Sequence, residues 1–238
     1  MALAKRTVSG FTQEAQGSVF EPRTVPFNPG QCRTEFRIGL CGDVEYALLP
    51  QLLRRLRLDT PGATLKVQRL DGEQLTGLLN SGEIGVGLGY HQPSDGGVHS
   101  QALCTLKLNV LRSDRAPGTI DLDQYCARPH AQVSYSSDVT AHIDNTLKAQ
   151  GRQRRVEVSV PQFSTLPILM ANSDLIATVP DYVAKAMIAL GGLRSEPMPL
   201  DAPDLLLSMT WGAGSQADPA QQWLRSRIRM LLQDQADD

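Results

Sequence analysis

The chain has 238 residues, 41% of them apolar and 20% charged, with a formal net charge of -2. That length buries a real core, as one large domain or two small ones. A balance of 23 Lys and Arg against 25 Asp and Glu lacks the electrostatic footprint of a domain that grips nucleic acid by itself. No apolar stretch approaches the roughly 20 residues that span a bilayer. The Lys5-Arg6 pair is not followed by the continuous apolar run of a secretory signal. Cys32, Cys41, Cys104 and Cys126 include no C-x-x-C pair and no suitably spaced His. They are expected to be reduced thiols of a cytoplasmic protein, holding neither zinc nor a redox motif.

In chain order, Pro22, Pro26 and Pro29 forbid a continuing helix, so residues 1–35 read as a short helix and an extended tether. Phe36–Leu40 is predicted to be a buried strand, followed by a turn at Cys41-Gly42-Asp43. Leu48, Leu49, Leu52, Leu53 and Leu56 recur at helical spacing up to a stop at Pro61-Gly62. Pro50 suits that helix only in its first turn, where no backbone N–H is needed. Next come a strand over Thr64–Leu70, a short helix through Leu75–Leu79 ended by Gly82, and a strand over Ile84–Tyr90. Gln101–Arg112 reads as one long strand, whose length, like that of the strand near 205–211, marks it as a place where the chain passes between two α/β sets, and Leu122–Cys126 reads as a helical turn. Strands at 130–135, 156–162 and 175–179 then alternate with helices at 141–151, 165–171 and 182–190. Leu193–Pro199 is extended and Leu205–Trp211 is a strand. The last helix starts at Asp218-Pro219, a cap followed by Pro in the first turn, and aligns Leu224, Ile228, Leu231 and Leu232 on one face. Such alternation indicates βαβ units and parallel sheets.

Residues Phe36–Tyr90, with strand Phe36–Leu40, turn Gly42–Glu45, Leu48-Leu49-Pro50, Pro61-Gly62 and the helix through Leu75–Leu79, resemble the effector-binding domain of LysR-type transcriptional regulators. HAQVSYSS and DLIATVPDYVAKAM resemble that domain's second subdomain, and Pro26-Phe27-Asn28-Pro29 is similar to the lead-in of its nodulation-regulator-like branch. The resemblance spans roughly residues 30 to 235. It implies an α/β, periplasmic-binding-protein-like fold of two Rossmann-like subdomains joined by a two-strand hinge. The expected division is a linker-helix remnant and tether over 1–35, subdomain I from 36–108 plus 206–238, and subdomain II from 109–205. It also implies a small-molecule effector in the cleft, no cofactor, homo-oligomers (dimer or tetramer), and DNA binding only through an absent N-terminal winged helix-turn-helix domain. Residues 3–16 are expected to be the tail of the family's linker helix. The helices Leu48–Leu58 and Ala141–Gly151 are candidate pairing surfaces.

Ligands of α/β sheets bind beyond the carboxyl ends of strands, where helix N-termini offer unpaired N–H groups. Three strand-to-helix turns are therefore candidates. The first supplies Gly42, Asp43, Val44 and Glu45; Asp43 is equally suited to capping the following helix, and the two acids disfavour a strongly anionic ligand. The second supplies Ser134, Tyr135, Ser136 and Ser137, hydroxyls and a ring that suit a small polar or aromatic molecule or, for Ser137, a helix cap. The third supplies Phe163 and Ser164, where Phe163 serves equally as core. Tyr90 closes the strand containing Gly85, Gly87 and Gly89. Those glycines lie within a strand and are followed by no helix, so they are not a dinucleotide fingerprint; they leave one face bare for close backbone packing.

No G-x-S-x-G surrounds any Ser, and His91, His99, His130 and His142 lack metal-ligand spacing. None of the five lysines lies at a candidate turn, so the chain is expected not to be an enzyme. A transporter's solute-binding protein is the alternative with the same two-lobed plan.

Overall fold

The computed structural model describes residues 27–70, 74–90, 96–134, 137–202 and 204–236. The predicted linker helix over 3–16 lies outside them. Strands β1 (Glu35–Leu40), β2 (Thr64–Arg69), β3 (Val86–Gly89), β4 (Val98–Leu106) and β10 (Leu205–Gly212) form one sheet in the order β2-β1-β3-β10-β4. Strands β5 (Leu108–Ser113), β6 (Pro129–Val133), β7 (Arg155–Val160), β8 (Ile176–Pro180) and β9 (Leu193–Pro197) form a second in the order β7-β6-β8-β5-β9. In each sheet three strands run parallel, as βαβ alternation requires, and returning strands pair antiparallel. The two sheets define lobes I and II. Helices α1 (Gly42–Asp59), α2 (Leu75–Ser81) and α7 (Pro219–Ala236) accompany lobe I. Helices α3 (Leu122–Ala127), α4 (Ser137–Ala149), α5 (Leu166–Met170) and α6 (Asp181–Ile188) accompany lobe II.

The predicted long strand over Gln101–Arg112 is two strands in different sheets. Leu106 ends β4 and Leu108 begins β5, and both are buried. The apolar alternation therefore continues through the crossing and gives no local sign of it. The crossing is held where the Asp181 N–H donates to the Lys107 carbonyl at 2.9 Å. The chain returns to lobe I between Pro197 and Leu205.

Helix α1 begins at Gly42, so Pro50 lies inside it and not in its first turn. Pro50 is exposed, which leaves the helix bond it cannot donate on the solvent side. Leu48, Leu52 and Leu56 are buried in the apolar core, and α1 also packs on α6. The start of α7 is as expected: Asp218 Oδ1 accepts from the Ala220 and Gln221 N–H groups at 2.8 and 3.0 Å, and Leu224, Ile228, Leu231 and Leu232 are buried. Side chains, not backbone, fill the space beside the β3 glycines. A Cβ on Gly87 would meet Leu75 Cδ1 at 2.4 Å, and one on Gly85 would meet Gln221. The small residues thus admit Leu75 from α2 onto the sheet.

One apolar core runs continuously through both lobes across the α1–α6 contact. A second lies on the other face of lobe II and includes Tyr125, Ile143 and Leu147. Beside it Arg112 is fully buried. Its Nε donates to Glu196 Oε1 at 2.8 Å, and its remaining N–H groups reach the Ala116, Pro117 and Gly118 carbonyls. Glu196 also accepts from the Ile120 N–H at 2.7 Å. Burial opposes the charge of Glu196, but the Ile120 N–H and Arg112 outweigh it and hold the carboxyl below its ordinary range.

Candidate functional site

The carboxyl ends of β1, β2 and β7 converge on a cavity of about 210 Å³. Lobe I contributes Gly42, Glu45, Tyr46 and Leu49 from one face of α1, together with Arg69 from the end of β2; lobe II contributes Gln162, Phe163 and Ser164. Helical spacing explains the α1 set, since 42, 45, 46 and 49 share one face. Gly42 keeps the wall thin: a Cβ there would stand 3.6 Å from Arg69 and 3.7 Å from Phe163. Phe163 opens a 3-10 turn (Phe163–Thr165) and is 7% exposed, so it is both core and cavity wall. The Arg69 guanidinium donates across the cleft to the Pro161 carbonyl at 3.0 Å. The lining therefore combines two rings, a carboxylate, a guanidinium, an amide and a hydroxyl.

Of the sequence candidates, Gly42, Glu45, Phe163 and Ser164 meet at this cavity. Val44 does not: it is fully buried on the core face of α1. Asp43 does not cap the helix, whose cap position is Cys41 without a side-chain bond. It lies on the α6 side, where its Oδ2 accepts from the Tyr90 hydroxyl and, at 2.7 Å, from the Tyr182 hydroxyl. Tyr90 is thereby spent on Asp43 and does not line the cavity. Ser134 turns back to the end of β7, its Oγ donating to the Val160 carbonyl at 3.2 Å. Tyr135 and Ser136 lie outside the described residues. Ser137 begins α4, four residues earlier than the predicted start of that helix. Sequence reasoning missed Leu49 and Arg69 at the cavity and Tyr182 beside Asp43. Arg69 ends a strand of ordinary alternation, and Tyr182 sits in a helix whose apolar period accounts for it as core.

Burial pushes both phenols well above their ordinary values, and the Asp43 charge adds to it. Tyr90 and Tyr182 therefore remain protonated donors at neutral pH. Cys41, buried beside Asp43, has its thiol raised by the same two causes.

A larger groove of about 550 Å³ opens at the other end of lobe I, among Arg37, Asn80, Gly214, Asp218 and Gln221. It adjoins the start of β1 and touches one lobe only, so the smaller cavity is the better candidate despite its size.

The family model described as LysR substrate binding domain matches residues 29–233. The chain belongs to that family. LysR substrate-binding domains are the ligand-sensing regulatory modules of LysR-type regulators, and the fold agrees. The regulatory domain of MexT, a transcriptional activator in Pseudomonas aeruginosa, superposes with a TM-score of 0.77 at 48% identity, covering 83% of this chain and 99% of that one. A transcriptional regulator from Vibrio parahaemolyticus gives 0.79 at 25% identity, over 87% and 98% of the two chains. The transcriptional activator NagR of Ralstonia sp is 26% identical over 202 residues, 84% of this chain and 67% of NagR. Nodulation protein D 1 of Sinorhizobium fredii is 24% identical over 207 residues, 84% of this chain and 63% of its own length. This LysR-family chain thus spans about two thirds of such relatives. They are regulators, which favours that reading over a transporter's solute-binding protein. Among the described residues no helix is long and apolar enough to cross a membrane.

Proposed function

We propose that the 210 Å³ cavity is the effector site of a LysR-type regulator. One observation carries this: both lobes wall the cavity at the carboxyl ends of their strands, so an occupant touches both at once. Its volume suits a molecule built on a single ring, given that a dry cavity of about 150 Å³ holds benzene. Tyr46 and Phe163 supply faces for that ring, while Glu45 and Arg69 offer both signs of charge to its substituents. An amphipathic aromatic molecule with separated donor and acceptor groups is the class that fits. Such a ligand shifts the lobe angle only as far as it binds one arrangement better than another. In a full-length cytoplasmic regulator, that shift would be passed to paired DNA-reading domains.

Calorimetric titration with single-ring phenols, anilines and ring carboxylates tests the site on the wild type and on Gly42→Leu. The leucine projects into the cavity between Arg69 and Phe163, and a binder is expected to lose at least about tenfold in affinity. Undiminished binding to a folded Gly42→Leu chain overturns the assignment. Subunit pairing belongs to the same proposal. Leu53 and Leu58 of α1 are 41% and 76% exposed, and β2 and β7 are sheet edges. Sedimentation at micromolar concentration is expected to show an assembly larger than a monomer.

A further inference from the structure

The first turn of α1 is a lobe I element inserted between two lobe II elements, the 3-10 turn at Phe163 and helix α6. The effector cavity occupies the Phe163 side. On the α6 side Asp43 is 5% exposed, and one oxygen, Oδ2, receives a hydroxyl from each lobe: Tyr90 from its own and Tyr182 from the other. The phenol oxygens stand 3.3 Å apart. With both hydroxyl protons given to Asp43, none bridges the tyrosines, and the carboxylate is what joins them.

We propose that the Asp43–Tyr182 hydrogen bond is a cross-cleft tie that fixes the resting angle of the two lobes. Tyr182 is its positioning residue, and Tyr90 is the same-lobe donor that keeps the carboxylate aimed. The neighbouring contacts cannot do this. Apolar packing of α1 on α6 supplies area but is non-directional, so it tolerates small rotations. The Arg69–Pro161 bond lies at the exposed mouth, where water can replace it. The tie is directional and dry. Separating the lobes there leaves a buried carboxylate one donor short and the Tyr182 hydroxyl without an acceptor.

The tie is independent of any ligand, and so is its test. Hydrogen exchange followed by mass spectrometry compares the full 238-residue chain with Tyr182→Phe and Tyr90→Phe, each checked for folding by urea titration. Both variants delete one phenol donor to the same carboxylate, so a merely structural role makes them equivalent. A tie makes them differ. Tyr182→Phe is expected to speed exchange roughly tenfold or more in peptides on both sides of the seam, 42–49 and 181–188, as befits a lost bond to a charged group. Tyr90→Phe is expected to act on the lobe I side alone. Equal responses, or no acceleration in Tyr182→Phe, overturn the proposal. Should Tyr182→Phe fail to fold, Asp43→Asn weakens both bonds while keeping shape, and a response confined to one lobe overturns it equally. An unsuccessful effector screen leaves the tie standing, and loss of the tie leaves the cavity standing.

Discussion

Acid is expected to unfold this chain through His130, and the size of the effect follows from its surroundings. The ring is fully buried in lobe II, edge-on to Tyr125 at 4.6 Å between centroids. Nε2 lies 2.8 Å from the Tyr125 carbonyl, near the end of α3, and a carbonyl can only accept. Nε2 therefore carries the proton and satisfies a helix-end carbonyl, while Nδ1 is buried with no partner among the described residues. A second proton would have to go onto Nδ1, where no described residue receives it. Burial is the main cause that drops the imidazole from 6.5 to about 4. The charged neighbours, Arg154 opposing protonation and Asp144 favouring it, largely offset one another, being paired at 2.7 Å. At about 1.4 kcal/mol per pH decade, protonating His130 in the folded chain costs roughly 3 kcal/mol. The unfolded chain takes up that proton below 6.5 and the folded chain only near 4, so the unfolded state holds more protons in between. Stability therefore falls as the pH drops through this window, and His130 adds no slope above it. Urea titrations at half-unit steps from pH 7.5 to 4.5 are expected to lose about 2–3 kcal/mol in the wild type and much less in His130→Phe. A wild type whose midpoint is flat between pH 6.5 and 4.5, or a variant with the same slope, would falsify the assignment.

Three further outcomes follow from buried groups. Arg112→Met is expected to cost about 3–5 kcal/mol in urea unfolding, because it takes the buried guanidinium from Glu196 and the donor from the Pro117 carbonyl, while Arg194 still reaches the Ala116 and Gly118 carbonyls; Arg112→Lys is not expected to rescue it. Leu147→Ala, at a fully buried position in the second lobe II core, is expected to lower stability by about 2–5 kcal/mol. Pro50→Ala restores a bond in the middle of α1 and is expected to stabilise by about 1–3 kcal/mol, less whatever rigidity the proline took from the unfolded chain. A Pro50→Ala chain that melts lower than the wild type would show that the helix is built around the proline.

The sequence reveals periodicity well and partnership poorly. Helix α7 is legible to the residue, because a cap, an adjacent Pro and a leucine face are all local. The two lobes are legible as alternating strands and helices. The passage between them at Lys107 is legible only as the unusual length of the strand expected over 101–112, since buried residues on either side keep the same alternation in different sheets. The start of α1 was hidden by Pro50, whose presence suggests a helix beginning later than Gly42. At the site, Gly42, Glu45, Phe163 and Ser164 are found by position alone, as residues of strand-to-helix turns. Arg69 falls inside the strand expected over Thr64–Leu70 and reaches the cavity because β2 lies beside β1. Asp43 shows the limit most plainly. Its place in a first turn suggests a cap, and only the approach of Tyr182, 139 positions along the chain, makes it a shared acceptor.

The division of labour within α1 follows from that approach. A helix presents different faces to different neighbours, and the first turn of α1 puts residues 42, 45 and 46 on the cavity while residue 43 meets Tyr182. A ligand that presses on one face must move the other, because a hydrogen-bonded helical turn shifts as a unit. A molecule that separated α1 from Phe163 without disturbing Asp43 would have to pivot the helix about α6, and the continuous apolar core there is the surface on which it could roll. A molecule that drew α1 towards Phe163 would pull directly on the Tyr182 bond. The two modes differ in whether the phenol loses its acceptor, so the near-ultraviolet tyrosine signal of Tyr182, taken as wild type minus Tyr182→Phe, separates them for any ligand that binds.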